Sequence, residues 1–182
     1  MTKARRRSAA LAITACLALS LAACGGGREY TVPEEACGVT LDETKLDPFL
    51  FDGKKLKVTG ESLIETGEDT RGHCEIRVDG KKVIWIRVSK VDRLYDPMDP
   101  SEDFRFRNRE KLNDLPFAGL GALGDASAMV NTGCGGPKAD HISVLVTVDG
   151  QAGGDVDERR KQIESFIVDF VPKVKKQLGC TV

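Results

Sequence analysis

Four of the six cysteines in this sequence constrain its fold more than any other residues. An even set of cysteines predicts two disulfides where a domain reaches an oxidising compartment, and four cysteines allow three pairings. The favoured pairing joins each half of the chain to itself. It also holds Cys180, which follows a C-terminal helix, against the segment before a late strand. Each bridge would close a loop of about 40 residues and add about 4 kcal/mol to the free energy of unfolding. The favoured pairs are Cys37 with Cys74 and Cys134 with Cys180.

The alternative use of these cysteines is a metal site. His73, Cys74, Cys134 and His141 are the possible ligands, but the sequence has neither the C-x-x-C nor the H-x-x-x-H spacing typical of zinc sites. We therefore predict no metal site and no other cofactor.

The first 23 residues predict export as a signal peptide. Lys3 and the arginines at 5–7 give a positive start. Residues 9–23 form an apolar run of about 15 residues, shorter than the about 20 that a membrane-spanning helix needs. A basic start, a short apolar run and small residues before a cut site are typical of a secretory signal.

Residues 21–24, Leu-Ala-Ala-Cys, resemble the lipobox of bacterial lipoproteins. The resemblance implies that the thiol of Cys24 receives a diacylglyceryl group and that the signal peptide, residues 1–23, is cut off before it. Two acyl chains give stable membrane anchoring. We therefore expect a lipid-anchored protein on the extracytoplasmic face of the cell membrane, with residues 24–35 as a flexible tether. The alternative is an ordinary secretory peptide, which would leave Cys24 as a free thiol. The export route also stays open, since it could be either the general secretory or the twin-arginine route.

The charge of the mature chain makes nucleic acid an unsuitable partner. Removal of residues 1–23 takes away four of the 27 Lys and Arg residues and none of the 28 Asp and Glu residues. The 23 remaining basic residues leave a net charge of −5, which disfavours binding to a polyanion. The length of residues 36–182 predicts a single disulfide-stabilised domain.

Alternating apolar residues predict several strands. The strongest signal is a β-hairpin with strands at 74–78 and 81–91 around Asp79-Gly80, a dipeptide that favours a type I′ turn. On its second strand, Ile84, Ile86 and Val88 share the face expected to meet a helix layer, and Val83, Trp85, Arg87 and Val91 share the other. Further strands are predicted at 56–59, 127–131 and 141–148.

Two helices are predicted, one near each end of the domain. Residues 39–46 favour a short helix with Thr40 as N-cap and Glu43 completing a capping box, ended by Asp47-Pro48. Asp155 and Glu158 form a second capping box before a long amphipathic helix that ends at Gly179, with a kink at Pro172. Its predicted buried face consists of Ile163, Phe166, Ile167, Phe170, Val171, Val174 and Leu178.

These elements predict an α+β fold, with a mainly antiparallel sheet covered on one face by the long C-terminal helix and the short N-terminal helix. Residues 115–125 are expected to form a Gly-rich turn and residues 132–137 a tight loop. Residues 104–112 fit a strand and a helix equally well, so no element is assigned there.

No set of residues predicts catalysis. Gly119, Gly121 and Gly124 match G-x-G-x-x-G, but a predicted strand rather than a helix follows, so a turn is favoured over a dinucleotide site. Cys134 near Asp140-His141 resembles a nucleophile with its base, yet a disulfide is the favoured state of this thiol.

Two features could contact a ligand. Trp85, Tyr95 and Phe104 could line a groove, with packing as the alternative. Basic residues could meet anionic headgroups or wall polymers, although Glu102, Asp103 and Glu110 could neutralise them. These basic residues are Arg105, Arg107, Arg109 and Lys111.

The order of motifs resembles the small exported lipoproteins of uncharacterised function found in actinobacteria. A lipobox and Gly-rich tether precede Ala36-Cys37-Gly38, and Cys74 opens the strand of a tryptophan hairpin. Residues 123–126, Leu-Gly-Asp-Ala, precede a strand, and a long helix closes the chain. The resemblance implies lipid anchoring and an α+β fold, and it supplies no catalytic residues. Residues 92–112 are an addition to the pattern.

The sequence therefore favours a non-enzymatic binding or interaction domain at the cell envelope. Its partners would be the membrane, through the lipid anchor, and an unknown envelope protein or small ligand. The alternatives are an envelope-acting hydrolase and a passive structural lipoprotein.

Overall fold

The computed structural model describes residues 27–66 and 69–182. The predicted signal peptide and Cys24 lie outside this part of the chain. Within it, no helix has the length and apolar character required to span a membrane.

The fold is α+β, as predicted, and its centre is a seven-stranded antiparallel sheet. The strands are β1 (Glu35–Ala36), β2 (Val39–Thr40), β3 (Leu56–Gly60), β4 (Arg71–Val78), β5 (Lys81–Val91), β6 (Glu110–Leu112), β7 (Leu120–Leu123), β8 (Ser127–Gly136) and β9 (Ala139–Val148). The helices are α1 (Glu43–Leu46) and α2 (Val156–Leu178), with 3₁₀ turns at Asp47–Phe49 and Pro100–Arg105. The large sheet has the order β3-β4-β5-β9-β8-β7-β6, so two meanders meet where β5 pairs with β9.

The hairpin β4–β5 is confirmed. Asp79 and Gly80 have φ angles of 48° and 84°, the positive values that a type I′ turn requires. Ile84, Ile86 and Val88 are buried in the same core as α2. Val83 was expected on the opposite face. It is fully buried in the main core, because the pairing register with β4 shifts beside it.

The C-terminal helix is also confirmed, and it covers one face of the sheet. The Asp155 side chain accepts a hydrogen bond from the Glu158 N–H at 2.9 Å, and Gly179 ends the helix with φ 72°. The helix continues through Pro172. Every residue of its predicted apolar face is buried, and the Phe166 ring stacks on Phe170 with 5.4 Å between centroids.

The two disulfides have the favoured pairing, Cys37–Cys74 and Cys134–Cys180. The second bridge ties the end of α2 to β8. Backbone hydrogen bonds extend this contact, because the N–H groups of Thr181 and Val182 donate to the Cys134 carbonyl at 2.8 and 3.3 Å. A Cβ at Gly136 would lie 2.8 Å from the Gly179 carbonyl oxygen, so only glycine permits this close approach.

The predicted helix at 39–46 is wrong in its first half. Thr40 lies in β2, which pairs with β1 across a turn at Cys37 and Gly38, whose φ angles are 51° and 89°. The N-cap is Asp42, whose carboxylate accepts hydrogen bonds from the backbone N–H and the hydroxyl of Thr44. Pro48 does not end the helical region, because it occupies the first turn of a 3₁₀ segment, where its missing N–H costs nothing.

The predicted turn at 115–125 and the loop at 132–137 are also wrong in part. The first contains β7, and β8 extends through Gly136. Gly121 allows β7 to approach β6, since a Cβ there would lie 2.8 Å from the Leu112 Cβ. The unassigned stretch contains the end of a 3₁₀ turn and β6.

Candidate anion-binding site

The sheet face opposite α2 carries a second buried patch. Ala122, Met129 and Leu145 are at most 5% exposed but lie outside the main core cluster. Cross-strand pairing places them in one row with Arg87, because Ala122 is opposite Met129, Met129 opposite Leu145 and Leu145 opposite Arg87. Side chains of a strand alternate between faces, so this row lies on the face that α2 does not cover.

Residues 92–109 fold over part of this face and are held there by hydrogen bonds. The Tyr95 hydroxyl donates to Ser143 Oγ at 3.1 Å, and Asn131 Nδ2 donates to the Tyr95 carbonyl at 2.9 Å. Ser127 Oγ donates to the carbonyl of Arg105 at 2.9 Å. This fixes both ends of the covering segment, including the backbone that carries Arg105.

A cavity of about 130 Å³ lies between this segment and the sheet. An apolar cavity of about 150 Å³ holds a benzene molecule, so this one suits a small chemical group. Its lining combines the apolar Met129 and Leu145 with hydroxyl groups and guanidinium groups. The hydroxyl residues are Thr70, Ser89, Tyr95 and Ser143, and the basic residues are Lys90 and the three arginines Arg71, Arg87 and Arg105.

Cross-strand register explains how two of these arginines meet. Arg71 begins β4 opposite Ser89, and Ser89 is two residues after Arg87 on β5. Residues two apart on a strand share a face, so Arg71 and Arg87 lie on one face as diagonal neighbours. Arg105 reaches the same cavity from the covering segment.

The positive charges of the three arginines repel one another. Burial lowers the pKa of Arg87 below its ordinary value, and the nearby charges of Arg105 and Arg71 lower it further. Arg105 pairs with Glu102, but no described carboxylate forms an ion pair with Arg71 or Arg87. The lining of the cavity contains no acidic residue from the described ranges.

Aromatic rings support two of the guanidinium groups. The Arg87 guanidinium lies over Trp85, 5.0 Å from the ring centroid, and that of Arg105 lies 4.5 Å from the Phe104 centroid. Such stacking restricts the orientation of a guanidinium plane. Of the three aromatic residues considered for a groove, only Tyr95 lines the cavity, while Trp85 and Phe104 lie against its arginines, which agrees with packing as the alternative for Trp85.

The basic run at 105–111 does not form a common cationic surface. Arg109 donates to the carbonyls of Pro97 and Asp99 at 3.0 and 2.9 Å and pairs with Asp103 at 3.3 Å. These contacts stabilise the covering segment. Of the four basic residues in this run, Arg105 alone lines the cavity.

The remaining sequence candidates have structural roles. Cys134 is bonded to Cys180 and Cys74 to Cys37, so neither thiol is available as a nucleophile or a ligand. No group of three or more metal-ligating side chains occurs in residues 27–66 and 69–182. The G-x-G-x-x-G stretch contains β7, and the three glycines of the stretch allow close packing against neighbouring backbone and side chains.

Sequence reasoning missed Arg71 as a site residue and did not connect Arg87 with Arg105. The strand that carries Arg71 was expected to begin at Cys74, three residues later than it does. The sequence signal that could have indicated this site was that Trp85 and Arg87 lie on the same face of the second hairpin strand. The contribution of residues 92–109 has no local signature, because it depends on where that segment folds.

No known protein family, curated protein or solved structure matches this chain.

Proposed function

We propose that this protein is a lipid-anchored, extracytoplasmic binding protein that holds a small anionic group between Arg71, Arg87 and Arg105. The domain acts by binding and not by catalysis. We refer to the cavity formed with these three side chains as the arginine pocket.

The anchoring part of the proposal is supported by the signal peptide and by Cys24 in a lipobox-like sequence. Two disulfides are compatible with an oxidising compartment outside the cytoplasm. The resemblance in motif order to small exported actinobacterial lipoproteins supports the same placement.

The binding part rests on one observation: three guanidinium groups line a cavity, and among the described residues the only carboxylate that forms an ion pair with any of them is Glu102, which pairs with Arg105. Like charges brought together and partly removed from water oppose folding. An anion in the cavity would relieve this repulsion and accept hydrogen bonds from groups already in position. Charged residues gathered in a cleft with few partners of opposite charge are typical of functional sites.

Arg87→Gln is expected to weaken binding of a small anion at least tenfold. A hydrogen bond to a charged group contributes about 1.5–3 kcal/mol, and the glutamine removes the guanidinium of the residue that pairs with Leu145 across the strands. Binding is measured as the rise in melting temperature with phenyl phosphate, phenyl sulfate and benzoate, since a ligand of the folded state stabilises it.

The matched control is Arg93→Gln, because Arg93 is exposed on the same covering segment and does not line the cavity. This variant should bind as the wild type does. The proposal is wrong if none of the three anions stabilises the wild type, or if both variants lose binding equally.

A further inference from the structure

We propose that the arginine pocket selects a doubly charged phosphomonoester group over singly charged anions. This inference rests on the proposed anion-binding function and specifies the chemical class of its ligand. It is argued from the charge, the hydrogen-bond donors and the size of the pocket.

The charge of the pocket matches a dianion. Among the described residues, Arg71, Arg87 and Arg105 contribute three positive charges, and the Glu102 carboxylate offsets one of them through its ion pair with Arg105. Lys90 also lines the cavity, but its ammonium group donates to Thr66 Oγ1 at 2.9 Å. A phosphomonoester carries between 1.5 and 2 negative charges near pH 7. A carboxylate or sulfate ester, with one charge, would leave part of the repulsion among the arginines in place.

The donors also match a phosphate group. Each guanidinium presents N–H donors in a planar fork that suits bidentate contact with phosphate oxygens. Trp85 and Phe104 restrict two of these forks by stacking. A phosphomonoester offers three terminal oxygens for three arginines, whereas a carboxylate offers two. The Ser89 and Ser143 hydroxyls line the same cavity as further polar partners.

The size of the cavity limits what it encloses. About 130 Å³ accommodates a head group, so the rest of the ligand must remain outside. Phe104 is 76% exposed and lies beside Arg105, where its free ring face is available to an apolar or aromatic substituent. An aryl phosphate is therefore a suitable probe.

Other charged groups lie near the pocket, and the experiment must separate their effect from that of the ligand. His73 is opposite Arg87 in the pairing of β4 with β5, so the pH series needs a reference ligand whose own charge does not change. Phenyl sulfate stays singly charged across the series and serves as the reference. The charged and titratable groups around the three arginines are His73, Glu75, Lys90, Tyr95, Glu102 and His141.

The test uses the full mature chain and its single tryptophan as a reporter. Trp85 contacts Arg87, so its fluorescence should respond to occupancy of the pocket. At pH 8, phenyl phosphate is expected to bind at least tenfold more tightly than phenyl sulfate or benzoate. Because the second pKa of a phosphomonoester is about 6, the dianion falls about tenfold between pH 8 and pH 5. The advantage over phenyl sulfate should therefore fall several-fold towards equal affinity, because the remaining monoanion carries the same charge as phenyl sulfate.

Two results would overturn the proposal in distinguishable ways. Equal affinity for phenyl phosphate and phenyl sulfate at pH 8 would refute dianion selection but leave anion binding intact. No binding of any probe, by fluorescence or thermal stabilisation, would refute the proposed function itself. Arg71→Gln should reduce the preference for phenyl phosphate, while Arg93→Gln should leave it unchanged.

A phosphomonoester group occurs in soluble metabolites and in the lipid phosphatidic acid. Vesicles of phosphatidylcholine with phosphatidic acid, and matched vesicles with phosphatidylglycerol, distinguish these sources when the mature domain carries Cys24→Ala, because a lipid anchor would insert into both kinds of vesicle. Flotation with phosphatidic acid alone, reversed by phenyl phosphate, identifies a lipid headgroup as a ligand. Binding of phenyl phosphate without such flotation identifies a soluble phosphomonoester.

Discussion

A mature domain without Cys24 is expected to leave the membrane completely. The variant carries Cys24→Ala behind an ordinary cleavable secretory signal in place of residues 1–23. Each buried CH₂ of an acyl chain contributes about 0.8 kcal/mol to membrane binding, and no helix of the described residues offers an alternative span. Detergent-phase partitioning measures the result: the wild type should enter the detergent phase and the variant the aqueous phase.

Mass spectrometry of the wild-type protein provides the control. After proteolytic digestion, the N-terminal peptide that begins at Cys24 should carry the added mass of a diacylglyceryl group. Recovery of unmodified wild type in the aqueous phase would contradict the predicted lipid anchor and favour an ordinary secretory peptide.

Removal of the second disulfide is expected to cause a large loss of stability. The bridge between Cys134 and Cys180 spans a sequence separation of 46, for which chain entropy predicts a contribution of about 4 kcal/mol. Cys134→Ala combined with Cys180→Ala should lower the free energy of unfolding by about this amount, measured by denaturant titration under oxidising conditions. Such a loss is a large fraction of the stability of a typical domain.

The first disulfide supplies a matched comparison. Cys37→Ala combined with Cys74→Ala removes a bridge with a sequence separation of 37, so the same reasoning predicts a similar loss of about 4 kcal/mol. Only the Cys134/Cys180 variant should also increase hydrogen exchange at Thr181, whose N–H donates to the Cys134 carbonyl. A change below about 1 kcal/mol in both variants would contradict the stabilising role of the bridges.

The parts of the fold that could be predicted have strong local signals. Asp79-Gly80 fixed the hairpin because few residue pairs adopt two successive positive φ angles. Apolar residues at helical spacing, together with Asp155 and Gly179 as caps, defined α2. In both places, short-range preference and burial in the final structure favour the same conformation.

The missed elements depend on distant partners. β7 is rich in small residues and gains its strand structure by pairing with β6 and β8. The N-terminal hairpin β1–β2 is too short for alternation to be visible, and Asp42 competes with Thr40 as a helix cap. Tertiary contacts decided these cases, because the local sequence fits more than one conformation equally well.

The arginine pocket was hidden for the same reason. Arg71, Arg87 and Arg105 are separated by 16 and 18 residues in the sequence. Strand register joins the first two, and the hydrogen bonds of Tyr95 and Arg105 with the sheet bring the third. Residues 92–112 could be singled out as an addition, but the face they cover follows only from the folded structure.

A crystal of the mature domain soaked with tungstate would show directly whether the arginine pocket holds an anion. Tungstate is a tetrahedral, doubly charged anion whose anomalous signal locates it without reference to the protein. We expect one principal peak in the arginine pocket, with the guanidinium groups of Arg71, Arg87 and Arg105 in hydrogen-bond contact. An empty pocket, with tungstate bound only at other surfaces, would contradict this expectation.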